Sequence, residues 1–314
     1  MVRILGCYLL AGWAGVAGAQ MTLPEKNVGG LEVPADATVE PPLATDASVA
    51  GNPPEKQPHA PNPEAGRLNF KVDPDGYSII STVRGLSTHR VSFVFPLTYS
   101  RDYYGDNTEM VFQFSAKQRV FGTNFYVAYT QKSFWQYLNQ AQSSPFRETN
   151  YAPEAFYRWI PAAKAFNHWG ADFGFEHESN GRSIGESRSW NRVYVAPFQA
   201  KGKHLAFLKF WYRLPEGAPS SIDNPNGDDN PDLTDYLGHG ELNYSQQIGG
   251  EQLLTAWVRG NPATGRGAAA FTWSIPSPGG YAFYGLTVFH GYGESLIDYD
   301  QATTRVMAGI LLAR

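Results

Sequence analysis

Cysteine and charge are scarce in this 314-residue chain, and long apolar runs are missing beyond its N-terminus. It has one cysteine, and charged residues make up 17% of the sequence, below the usual quarter of a soluble domain. The formal net charge of -4 argues against a nucleic-acid partner, because phosphate contacts need concentrated lysine and arginine. Without an apolar run of about 18 residues after the N-terminus, a helical membrane protein is also excluded.

Aromatic residues, in contrast, are abundant at 14% of the sequence. That proportion excludes a mostly disordered chain, since disordered segments are poor in aromatics. The mean hydropathy is nevertheless negative, as in soluble proteins. A chain that is rich in aromatics and poor in charge is typical of a secreted β-protein or of a membrane β-barrel.

The first 19 residues have the pattern of a secretory signal peptide. Arg3 supplies the positive start, residues 4–16 are apolar, and the small residues Ala17 to Ala19 form a cleavage site. Cys7 is then removed with this segment. We therefore expect a mature chain with neither a disulfide framework nor a thiolate metal site.

Residues 20–66 differ in composition from everything that follows. They contain nine prolines and no aromatic residue, with seven acidic residues against two lysines. Such a segment buries too little apolar surface to offset its ordering entropy, so we predict a disordered tail. Removing the tail and Arg3 leaves 29 − 7 = 22 acidic and 25 − 3 = 22 basic residues, so the domain at 67–314 is formally neutral.

The sequence of this domain predicts twelve strands separated by turns. Alternation of residue types is clear at 125–130, where Phe125, Val127 and Tyr129 have one parity. The lengths of many of these segments are close to the ~9–11 residues that a tilted strand needs to cross a membrane. The predicted strands are 92–99, 109–118, 124–135, 154–160, 166–179, 188–199, 204–214, 236–248, 252–260, 267–275, 281–291 and 303–313.

Connection lengths favour one β-architecture over the others. Gaps after even strands are short, whereas gaps after odd strands are mostly longer, for example 136–153 and 215–235. Outer-membrane barrels have this asymmetry, with short periplasmic turns and long extracellular loops. The sequence therefore predicts an all-β fold, a twelve-stranded antiparallel transmembrane β-barrel. A soluble sandwich and a secreted barrel stay open as alternatives.

The candidate catalytic residues lie at the end of the fifth predicted strand. The parity that carries its aromatic residues also carries His177 and Ser179, so both are expected to face lipid. Acidic residues of the opposite parity are expected in the lumen, namely Asp172, Glu176 and Glu178. Histidine and serine on the lipid side are costly for a purely structural strand, which makes them functional candidates.

His177 and Ser179 have a spacing that suits nucleophilic catalysis. Residues two apart on a strand are separated by about 6.6 Å, so the imidazole can reach the hydroxyl as a general base. A hairpin symmetric about residue 184 pairs positions that sum to 368, which places Asn191 across from His177. A neutral amide there can orient the imidazole as the acid of a Ser-His-Asp triad does.

The hairpin sequence from His177 to Arg192 resembles the active-site hairpin of the outer membrane phospholipase A family. Further blocks of the same resemblance are 129–133, 143–151, 228–232 and 291–299. The resemblance implies a twelve-stranded outer-membrane barrel that is active as a homodimer. It also implies calcium-dependent hydrolysis of phospholipid acyl esters, at both sn-1 and sn-2, and of lysophospholipids.

The resemblance also implies roles for single residues. Ser179 corresponds to the nucleophile, His177 to the base and Asn191 to the orienting amide, and the amide of Gly181 would serve the oxyanion. Calcium would be held by the backbone carbonyls of Arg182 and Ser187, by that of Ser143 across the dimer, and by the carboxylate of Asp229. One acidic residue of the family's site is replaced by Ile184 here.

Gln131 shares the parity of Tyr129 and is expected to face lipid, where a second subunit would satisfy its amide. The expected partners are thus membrane phospholipids and a second copy, with the site facing the outer leaflet of the outer membrane. Two other functions remain open. One is a passive porin or structural barrel, and the other is a soluble secreted serine esterase.

Overall fold

The computed structural model describes residues 86–314, except for 164, 165, 167, 223, 225, 226 and 281. The predicted signal peptide at 1–19 and the predicted tail at 20–66 lie outside the described residues. No helix in the described part of the chain has the length and apolarity to cross a membrane.

Antiparallel strands make up nearly all of the regular structure. Among the residues described, one short helix, α1, spans Leu233–Leu237, and two 3-10 turns lie at Gly105–Asn107 and Gln140–Gln142. The strands are β1 Leu86–Thr88, β2 Ser92–Ser100, β3 Met110–Arg119, β4 Phe125–Trp135, β5 Phe146–Trp159, β6 Trp169–Ser179, β7 Ser189–Lys201, β8 His204–Arg213, β9 Gly240–Gly249, β10 Gln252–Asn261, β11 Arg266–Pro276, β12 Phe283–Tyr292 and β13 Ala302–Ala313.

The strands close into a barrel because the last one returns to the first. From β2 onward each strand pairs with its neighbours in the chain, and β13 pairs with β2. Both β1 and β2 pair with β3, so the first barrel strand is interrupted at 89–91. Strands β2 to β13 therefore form a twelve-stranded antiparallel barrel, which confirms the predicted fold.

Two predicted strands start four or more residues away from their start in the structure, whereas all other predicted bounds agree within three residues. The strand predicted at 154–160 begins at Phe146, because polar residues at its start are paired and need no apolar alternation. The strand predicted at 236–248 contains the end of α1 and begins only at Gly240. The three-residue β1 was not predicted, since so short a strand has no readable period.

Residue parity separates an apolar outer wall from a polar lumen, as expected. On β4, Phe125 and Tyr129 are exposed, whereas Tyr126 and Ala128 between them are buried. Such alternation is what a membrane strand requires, with lipid on one side and packed side chains on the other.

Paired charges occupy the lumen. Glu176 on β6 is fully buried and lies 2.7 Å from Arg192, 2.5 Å from Arg90 and 2.6 Å from Lys209. Glu154 on β5 accepts from His89 at 2.8 Å. Charges this deeply buried are tolerated only when they are paired and hydrogen-bonded.

Connections at the two ends of the barrel differ in length. At one end the links include 120–124, 202–203 and 250–251. The opposite end carries the connection 180–188 between β6 and β7 and the connection 214–239 between β8 and β9. The candidate hairpin therefore belongs to the end with long loops, beside the longest of them.

Candidate active site

The hairpin of β6 and β7 brings His177 and Asn191 together. The two residues are register partners, as the pairing sum of 368 predicted. The Nδ1 atom of His177 lies 3.0 Å from Oδ1 of Asn191. With the amide oxygen facing it, Nδ1 carries the proton and donates, which leaves Nε2 free to act as a base.

Asn191 has a second side-chain partner, which orients its amide. Its Nδ2 group donates to Oε1 of Glu216 at 2.6 Å, on the loop that follows β8. The backbone carbonyl of Asn191 also accepts from the amide of Leu214 at 2.8 Å. The start of the loop 214–239 is therefore fixed against the hairpin at this residue.

Ser179 lies at the end of β6 on the same outward parity as His177. Its register partners are Tyr151 on β5 and Ser189 on β7. The side chains of His177 and Ser179 are both partly exposed. Among the hydrogen bonds of the described residues, none joins the Ser179 hydroxyl to His177.

The turn at 180–188 is organised by one buried amide. The side chain of Asn180 accepts from the backbone amides of Arg182 at 3.3 Å and Arg188 at 2.9 Å, and it donates to the carbonyl of Glu186 at 2.9 Å. Gly181 follows with φ of +67°, a conformation that L side chains rarely adopt. Its backbone amide thus lies on a defined turn, two residues after Ser179 at the end of β6.

The residues predicted to hold calcium divide into two groups. The carboxylate of Asp229 accepts from the Ser187 hydroxyl at 2.6 Å, so the loop 214–239 brings it to the hairpin. Arg182 belongs to the same turn, and its guanidinium binds Glu148 at 3.1 Å and Glu186 at 2.5 Å.

Ser143 is separate from this group within the chain. It follows the 3-10 turn at Gln140–Gln142 with φ of +60°, in the connection between β4 and β5. No hydrogen bond of the described residues links Ser143 to the hairpin at 180–188. Its predicted role was in a second subunit, and that prediction stays open.

Gln131 lies on the same cross-strand row as the candidate nucleophile. It is the register partner of Tyr151, which in turn faces Ser179. Its amide accepts from the Tyr129 hydroxyl at 3.1 Å and donates to Ser133 at 3.3 Å. The outer wall at this level is therefore polar across three neighbouring strands.

The electrostatics of the site centre on Glu216. Burial raises the pKa of its carboxyl above the ordinary value, while the hydrogen bond from Asn191 acts in the opposite direction. Asp228 raises the same pKa, whereas the positive charge of Arg213, and that of the His177 imidazolium when it forms, lower it.

Two neighbours of the site were not predicted from the sequence. Glu216 comes from a distant loop, and no pattern relates it to the hairpin. Asn230 is fully buried, and its Oδ1 accepts from the amide of Ser189 at 3.0 Å. The block 228–232 was identified by resemblance, which could have drawn attention to Asn230 but not to its contact.

The chain is similar to known proteins both in sequence and in structure. The profile of a family described as phospholipase A1 matches residues 78–312. The chain is 40% identical over 188 residues to phospholipase A1 of Escherichia coli K12, covering 59% of this chain and 61% of that protein. The aligned part thus spans less than two thirds of this relative's length.

Solved structures match over more of the chain. An outer membrane phospholipase dimer from Salmonella typhi with bound calcium has a TM-score of 0.61 and 34% identity, covering 72% of this chain and 91% of that one. An active-site mutant of Escherichia coli outer membrane phospholipase A, with an asparagine changed to alanine, also has a TM-score of 0.61, with 32% identity and coverage of 72% and 91%.

Proposed function

The chain belongs to the phospholipase A1 family, and from this premise we propose that it hydrolyses phospholipid acyl esters in a calcium-dependent reaction. Its family and its barrel place it in the outer membrane, and we propose that the site faces the outer leaflet. The observation that carries the proposal is the 3.0 Å contact between His177 and Asn191 on the strand face that also presents Ser179.

His177 acts as the general base in this mechanism. Its Nε2 atom takes the proton of the Ser179 hydroxyl while Oγ attacks the ester carbonyl. The protonated imidazole then returns the proton to the leaving lysophospholipid oxygen. Water, deprotonated by His177, attacks the acyl-enzyme, so that the fatty acid leaves and Ser179 is restored. Asn191 keeps the imidazole in the tautomer that each step needs.

The backbone amide of Gly181 is the proposed donor to the oxyanion, since it follows Ser179 on the turn. The proposed calcium ligands are the carbonyls of Arg182 and Ser187, the carboxylate of Asp229, and the carbonyl of Ser143 from a second copy. When bound, calcium supplies positive charge beside the developing oxyanion.

The donor set at the hairpin fits calcium. All proposed ligands are hard oxygen atoms, which calcium prefers. The carbonyl of Ser187 already accepts from a cation, the guanidinium of Arg188, at 2.7 Å. The Asp229 carboxylate lies against the side chain of the same residue. The Ser187 carbonyl oxygen is thus accessible to a cation, and the Asp229 carboxylate lies beside this residue. Together they support the proposal of a metal site there.

The proposed substrates are phospholipids at either acyl position and lysophospholipids. Both His177 and Ser179 are partly exposed on the outer wall, where acyl chains of the membrane lie. We also propose that two copies associate through the face that carries Gln131, because the polar row of Gln131, Tyr151 and Ser179 on the outer wall would otherwise meet lipid. The dimeric relative with bound calcium supports this association.

A passive porin is the competing function. The lumen argues against it, because Glu176, Arg192 and Lys209 are buried there as ion pairs rather than lining an aqueous channel. A soluble secreted esterase would be recovered in the aqueous fraction after cell lysis, whereas we expect the protein in outer membranes.

The decisive experiment is phospholipid hydrolysis in mixed micelles with and without a calcium chelator. Ser179→Ala should abolish fatty-acid release, and chelation should do the same for the unaltered chain. Ser183→Ala, a serine-to-alanine change in the same hairpin, is the matched control and should stay active. Heat-modifiable migration on gels verifies that each variant is folded, and continued release by folded Ser179→Ala would refute the assignment.

A further inference from the structure

Glu216 is placed against the candidate triad by the loop between β8 and β9. Its Oε1 atom accepts from Nδ2 of Asn191 at 2.6 Å, and the side chain is partly buried. The loop is fixed on both sides of this contact. Leu214 donates to the Asn191 carbonyl at 2.8 Å, and Arg213 binds Asp228 at 2.6 Å.

An asparagine beside a catalytic histidine can adopt two amide orientations. With Oδ1 toward the ring, Nδ1 keeps its proton and Nε2 is the base. After a flip, the amide Nδ2 faces Nδ1, which must then accept, so the proton moves to Nε2 and the base is lost. An ionised carboxylate on the far side of the amide only accepts hydrogen bonds, and it therefore permits the first orientation alone.

We infer that Glu216 is a positioning residue for hydrolysis, because its carboxylate holds the Asn191 amide with Oδ1 toward His177. It also places a negative charge behind a neutral triad amide, where it stabilises the imidazolium that forms during the reaction. The inference rests on the proposed function. It adds a fourth residue, from outside the hairpin, to the arrangement of Ser179, His177 and Asn191.

The charges around Glu216 are consistent with this role. Those that act on its carboxyl are His177 on β6, Arg213 at the end of β8, and Asp228 on its own loop. Arg213, and the His177 imidazolium once it forms, favour the ionised carboxylate, whereas Asp228 opposes it. Burial raises the pKa of the Glu216 carboxyl, so acidification removes the acceptor-only form sooner than for an exposed glutamate.

The test compares Glu216→Gln, Glu216→Ala and Asp235→Asn as full-length chains with calcium and dioleoyl phosphatidylcholine in mixed micelles. Glutamine preserves size but offers either an oxygen or an amino group to Asn191. We expect kcat to fall about tenfold in Glu216→Gln and further in Glu216→Ala, with KM unchanged. Asp235→Asn removes an exposed charge from the same loop and should have no effect.

Two further readouts separate positioning from a structural role. In Glu216→Gln the acid limb of the kcat/KM profile should move to lower pH, because the imidazolium loses an anionic neighbour. In an Asn191→Ala background, Glu216→Gln should cause a further loss well below additivity, since the part of its effect that acts through that amide is already removed.

The outcomes distinguish this inference from the proposed function. If the unaltered chain releases no fatty acid, the proposed function fails. If it is active and folded Glu216→Gln keeps the same kcat and acid limb, Glu216 has no positioning role. Additive losses in the Asn191→Ala background would also overturn the inference. A tenfold loss of kcat with a shifted limb and no additivity supports it.

Discussion

Arg192 and Glu176 form a two-point ion pair across β6 and β7, where they are also register partners. Arg192 Nε donates to one carboxylate oxygen at 3.0 Å, and its terminal nitrogen lies 2.7 Å from the other. Bidentate pairing of this kind is the strongest arginine–carboxylate geometry. Because Arg90 and Lys209 bind the same carboxylate, Glu176 neutralises several lumen cations at once.

We therefore predict that Glu176→Ala destabilises the barrel by about 3–5 kcal/mol, because it leaves buried cations without a partner. Urea unfolding in detergent, followed by tryptophan fluorescence, measures the change. The control is Glu251→Ala, at the short turn between β9 and β10, whose side chain is in none of the described ion pairs. Equal midpoints for the two variants would contradict the prediction.

Gly170 is a second test of lumen packing, since the ring of Phe198 occupies the space that a Cβ atom would need. Gly170→Ala should lower the free energy of unfolding by about 1–3 kcal/mol through overpacking. Gly249→Ala is the matched control, because a Cβ there meets nothing within 4 Å. Unfolding titrations of both variants that coincide would show that the ring moves aside without cost.

Asn191→Asp separates this site from triads in which an acid orients the histidine. Here the new carboxylate would face Glu216, and two adjacent carboxylates do not both ionise readily. We expect at least tenfold lower hydrolysis than for the double variant Asn191→Asp with Glu216→Gln, in which the repulsion is removed. Rates at neutral pH in calcium-containing micelles measure the ratio, and a double variant no faster than the single one would refute the argument.

Asp229→Asn should raise the calcium concentration for half-maximal hydrolysis about tenfold or more, because the proposed site loses its carboxylate ligand. A calcium titration of fatty-acid release measures this shift. The control is Asp235→Asn, which removes an exposed carboxylate of the same loop. Identical calcium curves for the two variants would exclude Asp229 as a ligand.

Gln131→Ala should weaken association of two copies, because the amide would no longer bridge them across lipid. Sedimentation in detergent with calcium and a slowly hydrolysed lipid analogue measures the dimer fraction. Gln246→Ala is a close control, since Gln246 also accepts from a tyrosine two residues earlier, Tyr244, at 2.9 Å. A dimer fraction lowered equally in both variants would argue against a specific contact.

Strand number, faces and the central hairpin register could be predicted because each follows from local periodicity. The pairing of His177 with Asn191 needed only a symmetric hairpin. The alternation of apolar and polar residues did not reveal a strand where charged residues replace apolar ones, as at the start of β5. There Arg147 binds Asp298, and the fully buried Glu148 binds Arg182.

Long-range contacts explain the other differences. Leu233 and Leu237 of α1 are buried, and five residues are too few to distinguish a helical turn from a strand. Glu216 lies 25 residues from its partner Asn191, in the irregular part of the loop that precedes α1. Its position depends on how the loop folds back, which no local pattern encodes.

The interruption of the first barrel strand at 89–91 has a mechanical consequence. Arg90 lies in this interruption, outside the strand pairing, and binds Glu176. This ion pair links the first strand to β6 through the interior of the barrel. Glu176 forms further ion pairs with Arg192 on β7 and Lys209 on β8. Because widening the barrel at this level would break these buried ion pairs, they resist dilation of its interior.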